Sequence, residues 1–314
     1  MKKIIMLLMG LSMVAFGKEP AKIKVGITQI MEHQALDSAR EGFIKALKDG
    51  GYGDAKIDYQ NAQGDFGTAQ MIANSFVQDK KDIILAISTP SAQAAYNATK
   101  KIPILITAVT DAESAGLVGD NITGTSDAAP IYKQLEIITK LLPNAKKVGI
   151  IYNTSEQNSQ VQVAQAKVEA AKLGLEIVET GITTINDMAI GLDSLLPKVD
   201  VLYTPTDNLV VASTPLLLEK ANKAGKPVIG SVEDQVMQGA LVTETIDYEK
   251  LGYQTGEVAV QVLKGTAPNT IPIETLKDTQ LIINKKAAEK YNVDLSSKEW
   301  RDLIFEGKNK DFGA

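Results

Sequence analysis

Apolar runs of strand length alternate with amphipathic segments of helix length along the first third of the chain. The segment 35–48 repeats apolar residues at helical spacing and ends at Gly50-Gly51, which is a typical helix stop. Alternation of this kind predicts βαβ units and a parallel sheet. The predicted strands are 23–27, 56–59, 83–87 and 104–106.

The same pattern restarts at residue 147. Lys147-Val148-Gly149-Ile150 repeats Lys24-Val25-Gly26-Ile27, and further motifs recur at an offset of about 117–124 residues. The remainder after residue 247 is too short for a third unit, although 248–263 reads as a helix and 280–283 as a strand. We therefore expect two similar α/β lobes that share this tail.

A shared tail requires the chain to cross between the lobes several times, and such crossings form a hinge. We place the crossings near 123–127, 243–247 and 271–279. The expected N-terminal lobe is 18–125 plus 247–279, and the C-terminal lobe is 126–246 plus 280–314.

Small polar residues follow the predicted strands. Ligands of open parallel sheets bind at the carboxyl ends of the strands, so these residues should border a cleft between the lobes. The candidate ligand-binding residues are Glu32, His33, Ser88, Thr89, Pro90, Ser91, Ala108, Thr110, Asp127, Asn153, Glu156, Asn158, Ser159, Thr206, Asp207, Asn208 and Glu233.

Ser88-Thr89-Pro90-Ser91 ends a buried strand at the head of a helix, and two interpretations are open. The simpler one is an N-cap, in which Thr89 or Ser91 satisfies amides of the first turn. The other is a seat for an anionic ligand group at the positive end of the helix dipole. In the second half, Asp207 occupies the corresponding place and suits an ammonium group. An anion seat that faces a cation seat predicts a zwitterion site, hence an amino acid.

Residues 1–17 have the layout of a secretory signal peptide. Lys2 and Lys3 precede an apolar run over 4–14, and Ala15 and Gly17 supply small residues before a cut at Lys18. A membrane anchor is the competing interpretation, but the run is short for a bilayer. We expect cleavage and export to the periplasm, with secretion to the medium as the alternative.

Composition excludes several classes of function. The chain without its leader has 31 basic and 38 acidic residues, a net charge of −7, which disfavours nucleic acid and anionic membrane surfaces as partners. It contains no cysteine, which excludes disulfides, a cysteine nucleophile and lipid attachment at an N-terminal cysteine.

Enzymatic signatures are also absent from the sequence. His33 is the only histidine, and neither HxxxH, GxSxG, GxGxxG nor GxxxxGKS occurs. We therefore expect no catalytic residue, metal or cofactor. The alternatives are an exported α/β enzyme that uses carboxylates, a transcriptional regulator that would need a DNA-binding module, and a sensor that presents its ligand to a receptor.

Six motifs resemble the TrpX-like family of ABC transporter substrate-binding proteins, in order along nearly the whole mature chain. They are EHQALD (32–37), AISTPSAQAA (86–95), TAVTDA (107–112), YNTSEQNS (152–159), PTDN (205–208) and DYEKLGYQTGEVAVQVLKG (247–265).

The resemblance implies a type I periplasmic-binding-protein fold, with two Rossmann-like lobes, parallel sheets and a three-segment hinge. It implies a monomer that closes around an aromatic amino acid and delivers it to a membrane permease. Ser88 to Ser91 would hold the carboxylate, and Asp207 with Asn158 would lie near the amino group. The family often has Pro where this chain has Gln34, and Pro-Gly where it has Thr154-Ser155. The resemblance therefore does not fix which amino-acid side chain the site prefers. Another small polar solute, such as a sugar or nucleoside, is the alternative ligand.

Overall fold

The computed structural model of the protein describes residues 22–276, 278–297, 300 and 304–305. The predicted signal peptide lies outside the described residues. The described chain forms two α/β lobes, each built around one sheet.

The elements run in chain order. The first stretch contains β1 (Lys24–Gln29), α1 (Gln34–Leu47), β2 (Lys56–Asn61), α2 (Phe66–Gln78), β3 (Ile83–Ile87), α3 (Thr89–Ala98), β4 (Ile104–Val109) and β5 (Ile122–Ser126). The second contains α4 (Ile131–Leu141), β6 (Lys147–Asn153), α5 (Gln157–Lys172), β7 (Glu176–Ile182), α6 (Ile185–Leu195), β8 (Val201–Tyr203), α7 (Asn208–Ala212), α8 (Thr214–Lys223), β9 (Val228–Ile229), α9 (Glu233–Gln238) and β10 (Val242–Thr245). The tail contains α10 (Tyr248–Leu263), β11 (Glu274–Thr275), β12 (Gln280–Asn284), α11 (Lys285–Lys290) and β13 (Ile304–Phe305).

The first sheet has the order β11-β5-β4-β3-β1-β2, and all of its pairs are parallel. The second has the order β13-β12-β10-β9-β8-β6-β7. The central order 2-1-3-4-5 therefore occurs twice, which confirms the duplicated unit predicted from the sequence. One detail repeats as well: the Asp82 carboxylate accepts from the Lys24 amide at 2.7 Å, and Asp200 accepts from the Lys147 amide at 2.8 Å.

The chain crosses between the sheets three times, after β5, after β10 and between β11 and β12. This confirms the three-segment hinge. The lobe boundaries at 125, 246 and 279 stay predictions. The hinge strands lie at one edge of each sheet, and β2 and β7 lie at the opposite edges.

The predicted parallel sheets are confirmed, and one strand pair departs from this direction. β10 and β12 run antiparallel, with Val242 opposite Ile283. A parallel neighbour needs a crossover connection, usually a helix. Here the chain leaves the second lobe at the end of β10 and returns through the same hinge, so β12 starts where β10 ends.

Helix α10 belongs to the first lobe because it packs closely against α1. A Cβ on Gly42 would lie 2.0 Å from the Glu249 carbonyl oxygen, and one on Gly252 would lie 1.8 Å from that of Ala39. Only glycine permits this approach, which explains the two glycines at the crossing. In the second lobe, Trp300 is buried in the core. Among the described residues, none of the helices combines the length and the apolar character that a membrane crossing requires.

Candidate functional site

A small cavity lies between the lobes, at the carboxyl ends of β1, β3, β4, β6 and β8. In the described part of the chain, no lysine or arginine lines it. The lining residues are His33, Leu36, Ser88, Ala108, Thr110, Asp127, Asn158, Thr206, Asp207, Asn208, Val232 and Tyr248.

The backbone is strained where β3 and β4 reach the cavity. Ser88 has φ 77° and Ala108 has φ 52°, both in the left-handed region that non-glycine residues rarely occupy. The ladder between β4 and β5 also shifts register between Ile106 and Val109. Strain of this kind persists where a site requires a particular geometry, so it supports the location of the site.

The N-terminus of α3 retains unused polar groups. Ser88 is the N-cap residue, but its side chain makes no capping hydrogen bond. The hydroxyls of Thr89 and Ser91 are buried and have no hydrogen-bond partner in the described part of the chain. The first-turn amides also lack partners inside the helix. This geometry therefore favours a binding site for an anionic group over the N-cap interpretation of Thr89 and Ser91.

A buried carboxylate with no cationic partner among the described residues lies on the cavity wall. Asp127 accepts from the Tyr248 hydroxyl at 2.8 Å and from the Thr110 hydroxyl at 3.2 Å. Its burial raises the pKa of the carboxyl group. Such a carboxylate would be stabilised by a ligand ammonium group.

Asp207 also reaches the cavity, but its oxygens are engaged in the fold. One oxygen caps α7 by accepting from the Val210 amide at 2.9 Å, and the other accepts from the Asn153 amide. Burial, and then the nearby Glu156 carboxylate, raise the pKa of Asp207 to about 7. The structure thus gives Asp207 a capping role that the sequence interpretation did not foresee.

A second layer of predicted residues lies behind the cavity wall. The Glu156 carboxylate accepts from the side chains of Asn153, Asn158 and Asn208, and it holds the start of α7 against α5. Ser159 is buried beside Asp207. Asn153, Glu156 and Ser159 shape the site without lining it.

The remaining predicted residues divide into two groups. Thr89, Pro90 and Ser91 are buried in the first turn of α3, next to Ser88. Glu32 and Glu233 are exposed and do not line the cavity, and Glu32 accepts from the Tyr59 hydroxyl at 3.0 Å.

Three lining residues were missed by the sequence analysis: Leu36, Val232 and Tyr248. Leu36 and Val232 read as ordinary core positions of α1 and the β9–α9 connection. Tyr248 lies directly after a predicted hinge crossing, and that position was the one available signal.

Hydrogen bonds join the two lobes across the cavity. The Asn208 amide nitrogen donates to the Ser88 hydroxyl at 2.9 Å, and His33 Nε2 lies 3.4 Å from the Asn208 Oδ1. The Gln162 amide nitrogen donates to the Thr110 hydroxyl at 3.2 Å. The lobes are therefore in direct contact, as in a closed state.

His33 makes closure sensitive to acid. Burial lowers its pKa from 6.5 to about 4 in the closed cleft, and the ring Nδ1 has no partner. Below pH 6.5 the open protein binds a proton that closure must expel, so the closed state loses stability as the pH falls from 6.5 towards 4. We expect ligand affinity to drop about 20-fold between pH 7 and pH 5.

Calorimetric titration at both pH values tests this expectation, and His33→Gln is the matched variant. The variant keeps a polar side chain without a titration in this range, so it should lose much less affinity at pH 5. The same acid loss in both proteins would assign the effect to other groups.

Comparisons with known proteins agree with this architecture. Residues 24–299 match the family model described as ABC transporter substrate binding protein. A tyrosine-binding protein of Clostridioides difficile (strain R20291) is 54% identical over 270 residues, which cover 83% of this chain and 78% of the relative.

Two solved structures show which state of the lobes is present. A domain from Streptococcus pneumoniae in complex with L-Trp has a TM-score of 0.88 at 32% identity and covers 90% of this chain and 100% of its own. A ligand-free, open structure of a substrate binding protein with adhesive properties from Clostridium difficile has a TM-score of only 0.68 at 48% identity, covering 91% and 100%. The lobes here are arranged as in the complex rather than as in the open protein, although the open protein is more similar in sequence.

Proposed function

The chain belongs to the ABC transporter substrate binding protein family, and we propose that it captures tyrosine or tryptophan between its lobes for delivery to a membrane permease. The observation that carries the proposal is the pair of complementary groups at one cleft. Unpartnered hydroxyls at the start of α3 suit a carboxylate, and the cation-free Asp127 suits an ammonium group.

An aromatic side chain is supported by the relatives and by the cavity wall. The tyrosine-binding relative and the L-Trp complex both concern aromatic amino acids. In this chain, Leu36, Val232 and Tyr248 add apolar surface to an otherwise polar lining. Rings gain most from such walls, because each buries a large apolar area.

Binding proceeds by hinge closure. The ligand contacts both lobes only in the closed state. It therefore binds the closed state more tightly than the open state and shifts the population towards closure. The Asn208–Ser88 and Gln162–Thr110 hydrogen bonds form across the cleft at the same time and add to the closed state.

Proteins of this family work outside the cytoplasm, and the finer setting is part of the proposal. We expect cleavage before Lys18, a periplasmic location without a lipid anchor because no cysteine is present, and a monomer. No catalytic step is proposed, because the cleft needs only to hold and release its ligand.

Thermal unfolding tests the ligand class. Residues 18–314 would be unfolded and refolded to remove any carried-over ligand, then heated with each of the common amino acids and with a panel of sugars and nucleosides. Ligand at about 100 times its Kd adds about 2.7 kcal/mol, which shifts Tm by a few degrees. We expect shifts confined to aromatic amino acids. A shift with a sugar or nucleoside alone would keep the fold and remove the zwitterion site.

A further inference from the structure

Glu156 is a buried carboxylate that accepts hydrogen bonds from five donors. Three are the side-chain amides of Asn153, Asn158 and Asn208, and two are the backbone amides of Asn208 and Leu209. The residue is only 5% exposed. An ionised carboxylate has oxygens that only accept, so each of the three asparagines must present its NH2 group to Glu156.

The orientation of Asn158 is fixed from two sides. Its Nδ2 lies 3.1 Å from the Glu156 carboxylate and 3.0 Å from the Thr206 carbonyl oxygen, and both of these groups only accept. The Oδ1 atom of Asn158 is buried without a hydrogen-bond partner among the described residues, and Asn158 lines the cavity. Its oxygen is therefore an acceptor that suits the ligand ammonium group, as Asp127 does.

Asn208 carries the same orientation across to the first lobe. One of its N–H groups donates to Glu156 and the other donates to the Ser88 hydroxyl at 2.9 Å. The Oδ1 atom of Asn208 therefore faces His33 Nε2, at 3.4 Å. An amide oxygen only accepts, so the hydrogen of the neutral imidazole must lie on Nε2.

This tautomer leaves the other ring nitrogen of His33 as an acceptor. Burial lowers the pKa of His33 to about 4, so the ring is neutral at pH 7 and carries one hydrogen. Its Nδ1 is buried and has no hydrogen-bond partner within the part of the chain that the structure describes. A ligand that supplies a donor to this atom should bind about 10-fold or more tightly than one that leaves it unpaired.

The apolar wall of the cavity places this acceptor near the ligand's ring. His33 directly precedes α1 and Leu36 follows it by three positions, so both lie on the same side of the first turn, and both line the cavity. The ammonium group already has Asp127 and Asn158 as acceptors. The donor left for Nδ1 is one on the ring, which is the phenol O–H of tyrosine or the indole N–H of tryptophan.

We propose that Glu156 is a positioning residue, which acts through Asn208 to hold His33 Nδ1 as an acceptor for the O–H or N–H group of the ligand's aromatic ring. This role rests on the proposed function and narrows its ligand class. Phenylalanine has no donor on its ring, so it should bind more weakly than tyrosine or tryptophan.

NMR spectroscopy of His33 tests the orientation of the network directly. His33 is the only histidine in the chain, so protein labelled with ¹⁵N-histidine and produced without a histidine tag gives the signals of one imidazole. The shifts of its two ring nitrogens show which one carries the hydrogen. At saturating tyrosine and pH 7 we expect the hydrogen on Nε2. A hydrogen on Nδ1 would mean that the Asn208 amide is reversed, and it would overturn the proposal.

Glu156→Met tests the positioning role, because it keeps the length of the side chain and removes its acceptors. The matched control is Asp200→Leu: the Asp200 carboxylate accepts from two backbone amides at the start of β6, at the opposite end of the sheet from the cleft. In Glu156→Met the Asn208 amide is free to turn, so His33 at saturating tyrosine should show both tautomers, whereas the control should show the wild-type spectrum. The wild-type spectrum in Glu156→Met would remove Glu156 from this role.

Calorimetric titration with tyrosine and phenylalanine, which differ by one hydroxyl, measures the selectivity and decides the question if Glu156→Met does not fold. We expect the wild type to bind tyrosine at least about 10-fold more tightly than phenylalanine. His33→Gln can still donate to Asn208 but offers no acceptor in place of Nδ1, so its ratio should fall below about 3-fold.

Two outcomes of this titration would overturn the inference alone. One is an unchanged ratio in His33→Gln, which would leave Nδ1 to the ammonium group, and the other is equal binding of both amino acids by the wild type. If the wild type bound neither of them and no tryptophan, the proposed function would fail as well.

Discussion

Replacing Asp127 with asparagine is expected to weaken the binding of tyrosine or tryptophan by at least about 100-fold. The carboxylate is buried, and its side-chain partners within the described residues are the hydroxyls of Tyr248 and Thr110. Loss of one member of a buried charged pair costs about 2–5 kcal/mol, much of it from the partner charge left uncompensated. Here the uncompensated charge would be the ligand ammonium group.

The fold of this variant should be unaffected. Asparagine has the same shape and can still accept from Tyr248, and the neutral amide removes a carboxylate whose pKa is raised by burial. We expect an unfolding free energy equal to or above that of the wild type. Calorimetric titration measures the affinity, and denaturant-induced unfolding measures the free energy of unfolding.

Asp207→Asn is the informative comparison. Its amide keeps one acceptor oxygen but places an NH2 group against either the Val210 or the Asn153 amide, so the unfolding free energy should fall by about 1–2 kcal/mol. A large loss of affinity for Asp207→Asn with an intact fold, and none for Asp127→Asn, would return the ammonium role to Asp207.

This pair of aspartates shows where inference from the sequence ends. The repeated pattern predicted the two lobes, the hinge and the clustering of polar residues at strand ends, because these depend on local periodicity and on the geometry of parallel sheets. It did not distinguish a carboxylate that faces a ligand from one that caps a helix. That distinction depends on which backbone amides point at the oxygens, and for Asp207 one of them comes from Asn153, 54 positions earlier.

Tyr248 was missed for a related reason. It reaches the cavity because α10 packs on α1 through Gly42 and Gly252. The contact that orients Asp127 therefore joins residues 121 positions apart. The antiparallel β12 is a similar case, since its direction follows from where the chain re-enters the lobe rather than from its composition.

Removing the two hydroxyls at the start of α3 is the second change for which we expect a large effect. In the variant Thr89→Val with Ser91→Ala, tyrosine should bind about 100-fold more weakly, because each hydrogen bond to a charged group contributes about 1.5–3 kcal/mol. Tyrosinamide has no carboxylate and should lose less than about 10-fold. Calorimetric titration with both ligands measures the difference.

Stability separates this explanation from a capping role. The two hydroxyls are buried without partners, so their removal should leave the unfolding free energy unchanged or raise it. Ser213→Ala is the matched control: among the described residues the buried Ser213 hydroxyl lacks a hydrogen-bond partner, but it lies at the start of α8, which contributes no residue to the cavity, whereas α3 starts at the lining residue Ser88. It should alter neither binding nor stability. If the α3 variant instead lost about 1 kcal/mol of stability and bound both ligands equally less well, the hydroxyls would be helix caps and the carboxylate seat would lie elsewhere.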